Sequence, residues 1–421
     1  MRVAASAAVL VIAAVVCARA AATAPKAKGD SEEVKPVLKP DQKVMAILKG
    51  LGENQSALLP PLKTAGPINA LVRKFGMHKN GPHCRNYCRK WVWAADRKRA
   101  LFCGANAGVP HRLNDVWEYD LASNTWVLLY APLVDFNRIS SEQKKELGVV
   151  KNGILTVKNG APFDPVHSWW QITYEPDMKA LLWVIGNYNK CGHPHRKNKM
   201  PWGKLWMFAY YPAENRWDNF VPGKSHPPGM NASILEYLPD RKRVLWYTNT
   251  WRGGSTSLFD GEKKTWKQLV GKSGIRGNPN CPGSEAIAAY DSHRKMLVVH
   301  YGGGTHKGKP RPKVTYHFDV EKKTWKRALV AKQGPDGLDM RASMTYDRDS
   351  KRCFVIHSAL WSYAPGDKKW TRHAPKGPKP PNGMLCYNPE HKVLMIKSGG
   401  NQVWVYRPEK VESEKPESGE E

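Results

Sequence analysis

Acidic residues are scarce in this chain: 37 aspartates and glutamates face 66 lysines and arginines, a formal charge of +29 over 421 residues. No paired-carboxylate motif appears, which speaks against carboxylate-driven glycoside hydrolysis. A phosphate-cradling glycine loop, a nucleophile elbow and a zinc-protease helix are also missing, so no chemistry that carries a local signature is legible. Beyond the N-terminus no apolar run is long enough to cross a bilayer. Cysteine is limited to eight residues, whose spacings match no strong zinc signature.

What is present begins with an export signal. Met1 and Arg2 precede an unbroken small and apolar run from Val3 to Val16, followed by Ala18-Arg19-Ala20. A charged start, a short apolar centre and small residues at a cleavage site predict a signal peptide over residues 1–20, hence a secreted or periplasmic protein. Residues 21–42 are rich in Pro, Lys and Glu and read as a disordered linker, and the acidic stretch 409–421 reads the same way. The basic balance favours anionic partners. Export argues against nucleic acid and leaves a protein or an acidic polysaccharide.

Between these ends one pattern recurs. A short strand ends in an aromatic and an acidic or turn residue; a charged turn and an apolar strand follow. A loop, an alternating aromatic strand and a second charged turn lead to a tryptophan. The copy at 91–126 is the sharpest, with Asn114-Asp115-Val116-Trp117-Glu118-Tyr119-Asp120 and then Trp126. Later copies end at Trp217, Trp266, Trp325 and Trp370, and a sixth stops at Val403-Trp404-Val405-Tyr406 without its last tryptophan strand. Period-2 alternation marks each segment as strand. Pairs such as Trp117 with Tyr119, Trp206 with Phe208, Trp361 with Tyr363 and Trp404 with Tyr406 share a face, which suits packing between neighbouring sheets.

A glycine-rich strand end, Asn-Asp-Val-Trp-x-Tyr-Asp and a tryptophan several residues later resemble a kelch repeat, over roughly residues 90–407. That resemblance implies an all-β fold, a six-bladed kelch-like β-propeller over 91–408, of the galactose-oxidase central-domain type. Seven blades are the alternative. The incomplete sixth copy implies that a strand from the N-terminal extension 43–90 closes the ring, and Ile68–Phe75 is the natural donor.

If strands a, b, c and d of each copy alternate in direction, the a–b and c–d turns share one face and the b–c and d–a loops the other. The first set is short and charged, which reads as solvated tight turns. The second set is long and carries His and Arg. Function concentrates in long loops on a rigid scaffold, so the candidate ligand-binding residues are His111, Arg112, His193, His195, Arg196, Arg252, His306, Arg341 and His357. Imidazole and guanidinium there suit carboxylate recognition.

Cys103, Cys353 and Cys386 fall inside strands and read as small core residues. Cys84, Cys88, Cys191 and Cys281 fall in loops, where export makes disulfides the plain reading. A site for zinc or copper from His83, Cys84, Cys88, Cys191, His193 or His195 is the sharper reading, but no cofactor is expected. Galactose-oxidase-like copper enzymes need a tyrosine and histidine ligand set that finds no match here. The preferred function is therefore a binding or scaffold propeller for a protein or acidic glycan. The alternative is a propeller enzyme, a metal- or histidine-dependent lyase, hydrolase or oxidase acting on a carbohydrate. A clustered set of His, Arg and Cys at the axis mouth favours the enzyme; a plugged mouth favours the binding module.

Overall fold

A computed structural model describes residues 38–410 apart from 84, 86, 105–111, 152–153, 166, 186–206, 221–226, 228–231, 251–252, 303–304, 307–308, 311 and 336–341. Six antiparallel sheets stand in a ring. The a, b, c and d strands of blade 1 are Val92–Ala94, Arg99–Cys103, Val116–Asp120 and Thr125–Tyr130; those of blade 2 are Ile172–Glu175, Ala180–Val184, Met207–Tyr211 and Arg216–Phe220. Blade 3 is built from Ile234–Leu238, Arg243–Thr250, Gly253–Asp260 and Thr265–Val270, and blade 4 from Ile287–Asp291, Met296–Gly302, Lys313–Asp319 and Thr324–Ala331. Blade 5 comprises Ser343–Asp347, Arg352–His357, Ala359–Tyr363 and Thr371–His373. In each blade the a strand lies innermost, and each a strand neighbours the a strands of the two adjacent blades, so the six surround one axis.

Blade 6 takes its a, b and c strands from Met384–Asn388, Val393–Lys397 and Val403–Arg407, and its d strand from Gln55–Leu58 near the other end of the chain. The fold is thus the expected six-bladed β-propeller with an N-terminal closing strand, and the seven-blade alternative does not hold. The donor differs from the expected one. Ile68–Phe75 contains the helix Ala70–Lys74, because the Asn69 side chain accepts from the Val72 amide at 3.0 Å and caps it. Lys63–Ala65 adds a parallel fifth strand outside blade 1. Ser140 and Gln143 form a reciprocal capping box on the helix Ser141–Leu147, in the long segment between blades 1 and 2.

The recurring tryptophan has a fixed job. In blades 1 to 5 a tryptophan in or just before strand d meets an aromatic of strand c: Tyr119–Trp126, Tyr210–Trp217, Phe259–Trp266, Phe318–Trp325 and Tyr363–Trp370. The ring centroids are 5.1, 4.9, 5.0, 4.9 and 5.1 Å apart. All five tryptophans are buried. Each pair adds about 0.5–1.5 kcal/mol beyond the area it hides. Trp117 and Trp404 are fully buried as expected, whereas Trp361 is half-buried, and Trp206 lies outside the described residues.

Blade 6 solves the same problem otherwise. Tyr406 faces Ser56, whose hydroxyl donates to the Pro378 carbonyl at 2.8 Å. The loop before blade 6 fills the space that an indole occupies elsewhere. Gly377 permits that approach: at φ +118°, a Cβ there would sit 2.4 Å from the Ser56 carbonyl oxygen.

Candidate axial pit

The a strands place equivalent residues at equal depth around the axis. Trp93, Tyr174, Tyr237, Tyr290, Tyr346 and Tyr387 each precede the turn by the same distance and form one aromatic ring. Two residues nearer the turn stand Ala95, Pro176, Pro239, Ser292, Arg348 and Pro389, which form the rim. Together they enclose a cavity of about 270 Å³ that opens on the face of the a–b turns.

The far end is closed by the segment that leads into blade 1. The Ser343 hydroxyl of blade 5 donates to the Arg89 carbonyl at 2.7 Å, and Lys90 pairs with Leu385 of blade 6. The Lys90 ammonium crosses to blade 3, where it donates to Glu236 Oε2 and to the Leu235 carbonyl, both at 2.5 Å. It also lies 5.6 Å from the centroid of the Trp170 ring. Burial pushes the Lys90 ammonium down and the Glu236 carboxyl up, and each partner opposes the shift of the other. Breaking such a pair leaves a buried charge, so it pins the plug in place.

The tyrosines are tied to their neighbours. Tyr387 donates to Asp349 in the a–b turn of the preceding blade. Tyr174 faces Asp96, and Tyr290 faces Asp240, again one blade back. Burial raises all three phenols above their ordinary range, and the facing carboxylates raise them further. Tyr237 is pushed up to about 12, by burial first and then by Asp177. These phenols stay protonated and serve as fixed walls.

Outside the rim, every a–b turn carries a lysine in the left-handed conformation: Lys98, Lys179, Lys242, Lys295, Lys351 and Lys392, with φ of 54, 53, 51, 56, 55 and 53°. Hairpins of this type need a left-handed residue there, usually Gly or Asn. Several of the lysines reach a carboxylate of the preceding blade: Lys98 to Glu390 at 3.1 Å, Lys392 to Asp349 at 3.6 Å and Lys242 to Asp177 at 4.0 Å. These side chains are more than half exposed, so each pair contributes little to stability.

The residues to which the sequence pointed fall elsewhere. Arg112 is buried beside Asp164, its Nε 2.8 Å from Oδ1, and Lys144 reaches the other oxygen at 3.0 Å. His357 is half-buried at the end of the strand Arg352–His357, with Nδ1 3.5 Å from the Ser358 hydroxyl. His306 belongs to the two-residue strand Thr305–His306, which pairs with Lys309–Pro310. His111, His193, His195, Arg196, Arg252 and Arg341 lie outside the described residues, as do Cys84 and Cys191. Cys103, Cys281, Cys353 and Cys386 are buried free thiols, and Cys88 is buried. Of the other residues suggested for a metal, His83 places Nε2 2.7 Å from the Phe75 carbonyl, and Cys88 donates to the Cys103 carbonyl at 3.3 Å. Among the described residues, no three His, Cys, Asp or Glu side chains converge as a metal site.

Sequence reasoning missed the pit although its signal is present. The tyrosine three residues before the turn position recurs in five copies, with Trp93 in the other. It was readable as a repeat landmark, and only the ring arrangement turns six such landmarks into one cavity.

The chain is therefore a six-bladed β-propeller with a blind axial pit, aromatic in its walls and basic around its mouth. No family model matches the sequence, and no curated protein matches it.

Proposed function

We propose that this protein is an exported, kelch-like binding module that takes an acidic polysaccharide on the face of its a–b turns. The observation that carries this reading is the left-handed lysine in every a–b turn. A non-glycine residue in that conformation costs roughly 1–2 kcal/mol. Six repeats of the same costly choice set six ammonium groups around one mouth, where glycine or asparagine would make the turn more cheaply. Among the described residues Lys179 and Lys351 have no ion-pair partner within 4.0 Å.

Two further features support binding over catalysis and glycan over protein. The axis is plugged, and the ionic groups at the pit floor, Lys90 and Glu236, satisfy each other. The large apolar side chains exposed among the described residues are four, Leu58, Leu133, Val150 and Val330. They are spread along the chain and form no anchor of the kind that dominates protein interfaces.

The test is titration of polygalacturonate and of a neutral galactan at roughly 0.05 and 0.5 M salt. The acidic polymer should bind, weakening as salt rises, and the neutral polymer should not. A Lys179→Gln, Lys351→Gln double variant should lose affinity about tenfold with unchanged melting. Equal binding by wild type and variant would remove the lysine ring from the site.

A further inference from the structure

We infer that the axial pit receives the end of such a polysaccharide, as one uronic acid ring, and that Arg348 is the residue that anchors its carboxylate. This inference rests on the acidic-glycan reading and adds which part of the ligand enters and how it is held.

The size comes first. At about 270 Å³ the pit falls just below the roughly 300–1,000 Å³ of sites that take drug-sized molecules, and one pyranose ring suits it. The walls come next. Six aromatic rings stand at one depth and give the wall ring carbon, with the Tyr387 hydroxyl turned to Asp349. The C–H faces of a pyranose pack on such a surface. Polar side chains also line the pit: Thr173 and Thr345 beside the aromatic ring, and the mutually paired Lys90 and Glu236 at the floor.

The rim then breaks the six-fold likeness. Five of its six positions are Ala95, Pro176, Pro239, Ser292 and Pro389, all uncharged; the sixth is Arg348. Its side chain is 65 % exposed, and its nearest carboxylate is the adjacent Asp349, at 4.0 Å. A guanidinium at the lip of an apolar well matches a planar carboxylate in two parallel hydrogen bonds, which a lysine cannot do. The six lysines lie farther out and act on the rest of the chain as a diffuse attraction.

Closure of the pit by Lys90 and Trp91 decides the mode of recognition. A residue linked on both sides cannot descend into a blind well, so the protein reads chain ends and not internal segments.

The experiment uses the full chain and oligogalacturonates of four sugars, uncapped or blocked with bulky groups at both ends. Uncapped tetramer should bind at least about tenfold more tightly than the blocked one, and free galacturonate, but not galactose, should displace it. Ala95→Trp sets an indole at an exposed rim position and should abolish tetramer binding while long polygalacturonate keeps its salt-dependent binding to the lysines. Arg348→Gln should erase the preference for galacturonate over galactose, a readout that loss of general positive charge would not move. Equal binding of blocked and uncapped tetramers, or wild-type tetramer affinity in Ala95→Trp, would overturn the pit assignment and leave the lysine-face reading standing. Failure of every acidic polymer to bind would overturn both.

Discussion

Blades 2 and 6 show two chemistries for one structural task. In blade 2 the d strand follows its c strand directly, and Trp217 seals the sheet against Tyr210. In blade 6 the d strand comes from the far end of the chain, and Ser56 stands where the tryptophan would be. Yet one detail is common to both. The Tyr210 hydroxyl donates to Asn215 at 2.8 Å, and the Tyr406 hydroxyl donates to Asn54 at 3.1 Å. Both asparagines are left-handed, at φ 47° and 55°, just ahead of the d strand. Blade 1 repeats the arrangement with Tyr119 and Asn124 at 2.7 Å. The hydrogen-bonded latch is kept across the break in the chain, and the indole is not. In blades 1, 2 and 6 the polar latch recurs, while the apolar seal of blade 6 is replaced by a neighbouring loop.

The largest way to break the comparison is to remove the closing strand. A chain that begins at Leu59 leaves the c strand of blade 6 with an open edge. Its thermal unfolding should lose cooperativity, and its blade 6 should become protease-sensitive. A sharp melt at the wild-type temperature would show that six blades hold together without closure.

A smaller effect concerns the seams on either side of blade 5. The His317 imidazole lies 3.1 Å from the Tyr363 hydroxyl, and His373 touches Ser362 at 2.8 Å and Tyr406 at 3.3 Å. Both histidines are pushed down to about 4, by burial first and then by Lys326 and Arg352 respectively. A histidine depressed in the fold contributes stability above its unfolded value of 6.5, and that stability is lost as the pH falls from there towards 4. In full each shift corresponds to about 3 kcal/mol. Melting temperature should therefore fall between pH 7 and 4.5, and His373→Gln should flatten the fall by about half. Buried carboxyls that are raised by burial, such as Glu175 and Asp347, act in the opposite sense. The difference between wild type and variant is thus the quantity to measure. Parallel profiles would mean that His373 titrates normally.

The smallest effect sharpens the comparison most. Asn54→Gly and Asn215→Gly keep the left-handed turn and delete one hydrogen bond each. Chemical denaturation should place both near a loss of about 0.5–1.5 kcal/mol. A much larger loss for Asn54→Gly would show that closure depends on the latch more than an ordinary blade does.

The same comparison explains what was legible. Five blades were readable because a tryptophan, an aromatic c strand and a charged turn recur together. Even the third copy, with its weak repeat, forms a complete sheet. The closing strand was not readable by the same rule. Glu53-Asn54-Gln55-Ser56 matches Glu214-Asn215-Arg216-Trp217 at the two residues that make the turn, and departs at the tryptophan that marks the other copies. Ile68–Phe75, the donor expected from the sequence, is not a strand because Asn69 caps a helix there. The pit was hidden for another reason: each tyrosine is an ordinary strand residue in its own blade, and the site exists only once the ring is closed. Arg112 shows the reverse case, a cation in a promising loop that turns inward to Asp164.

Closure by the first strand also sets an order in time. Gln55–Leu58 is made early, but the edge it must join is completed only at Val403–Arg407. At roughly 5–20 residues per second, synthesis of the intervening stretch takes about 20–70 s. Through that interval the strand has no native partner. Only Ser56 of its four residues is buried in the finished sheet. With Gln55 and Ser56 polar and no indole among its four residues, the segment tolerates the wait in water better than a continuous apolar run, which would seek a wrong edge. The missing tryptophan, a gap in the repeat when read along the sequence, becomes a safeguard when read along the clock.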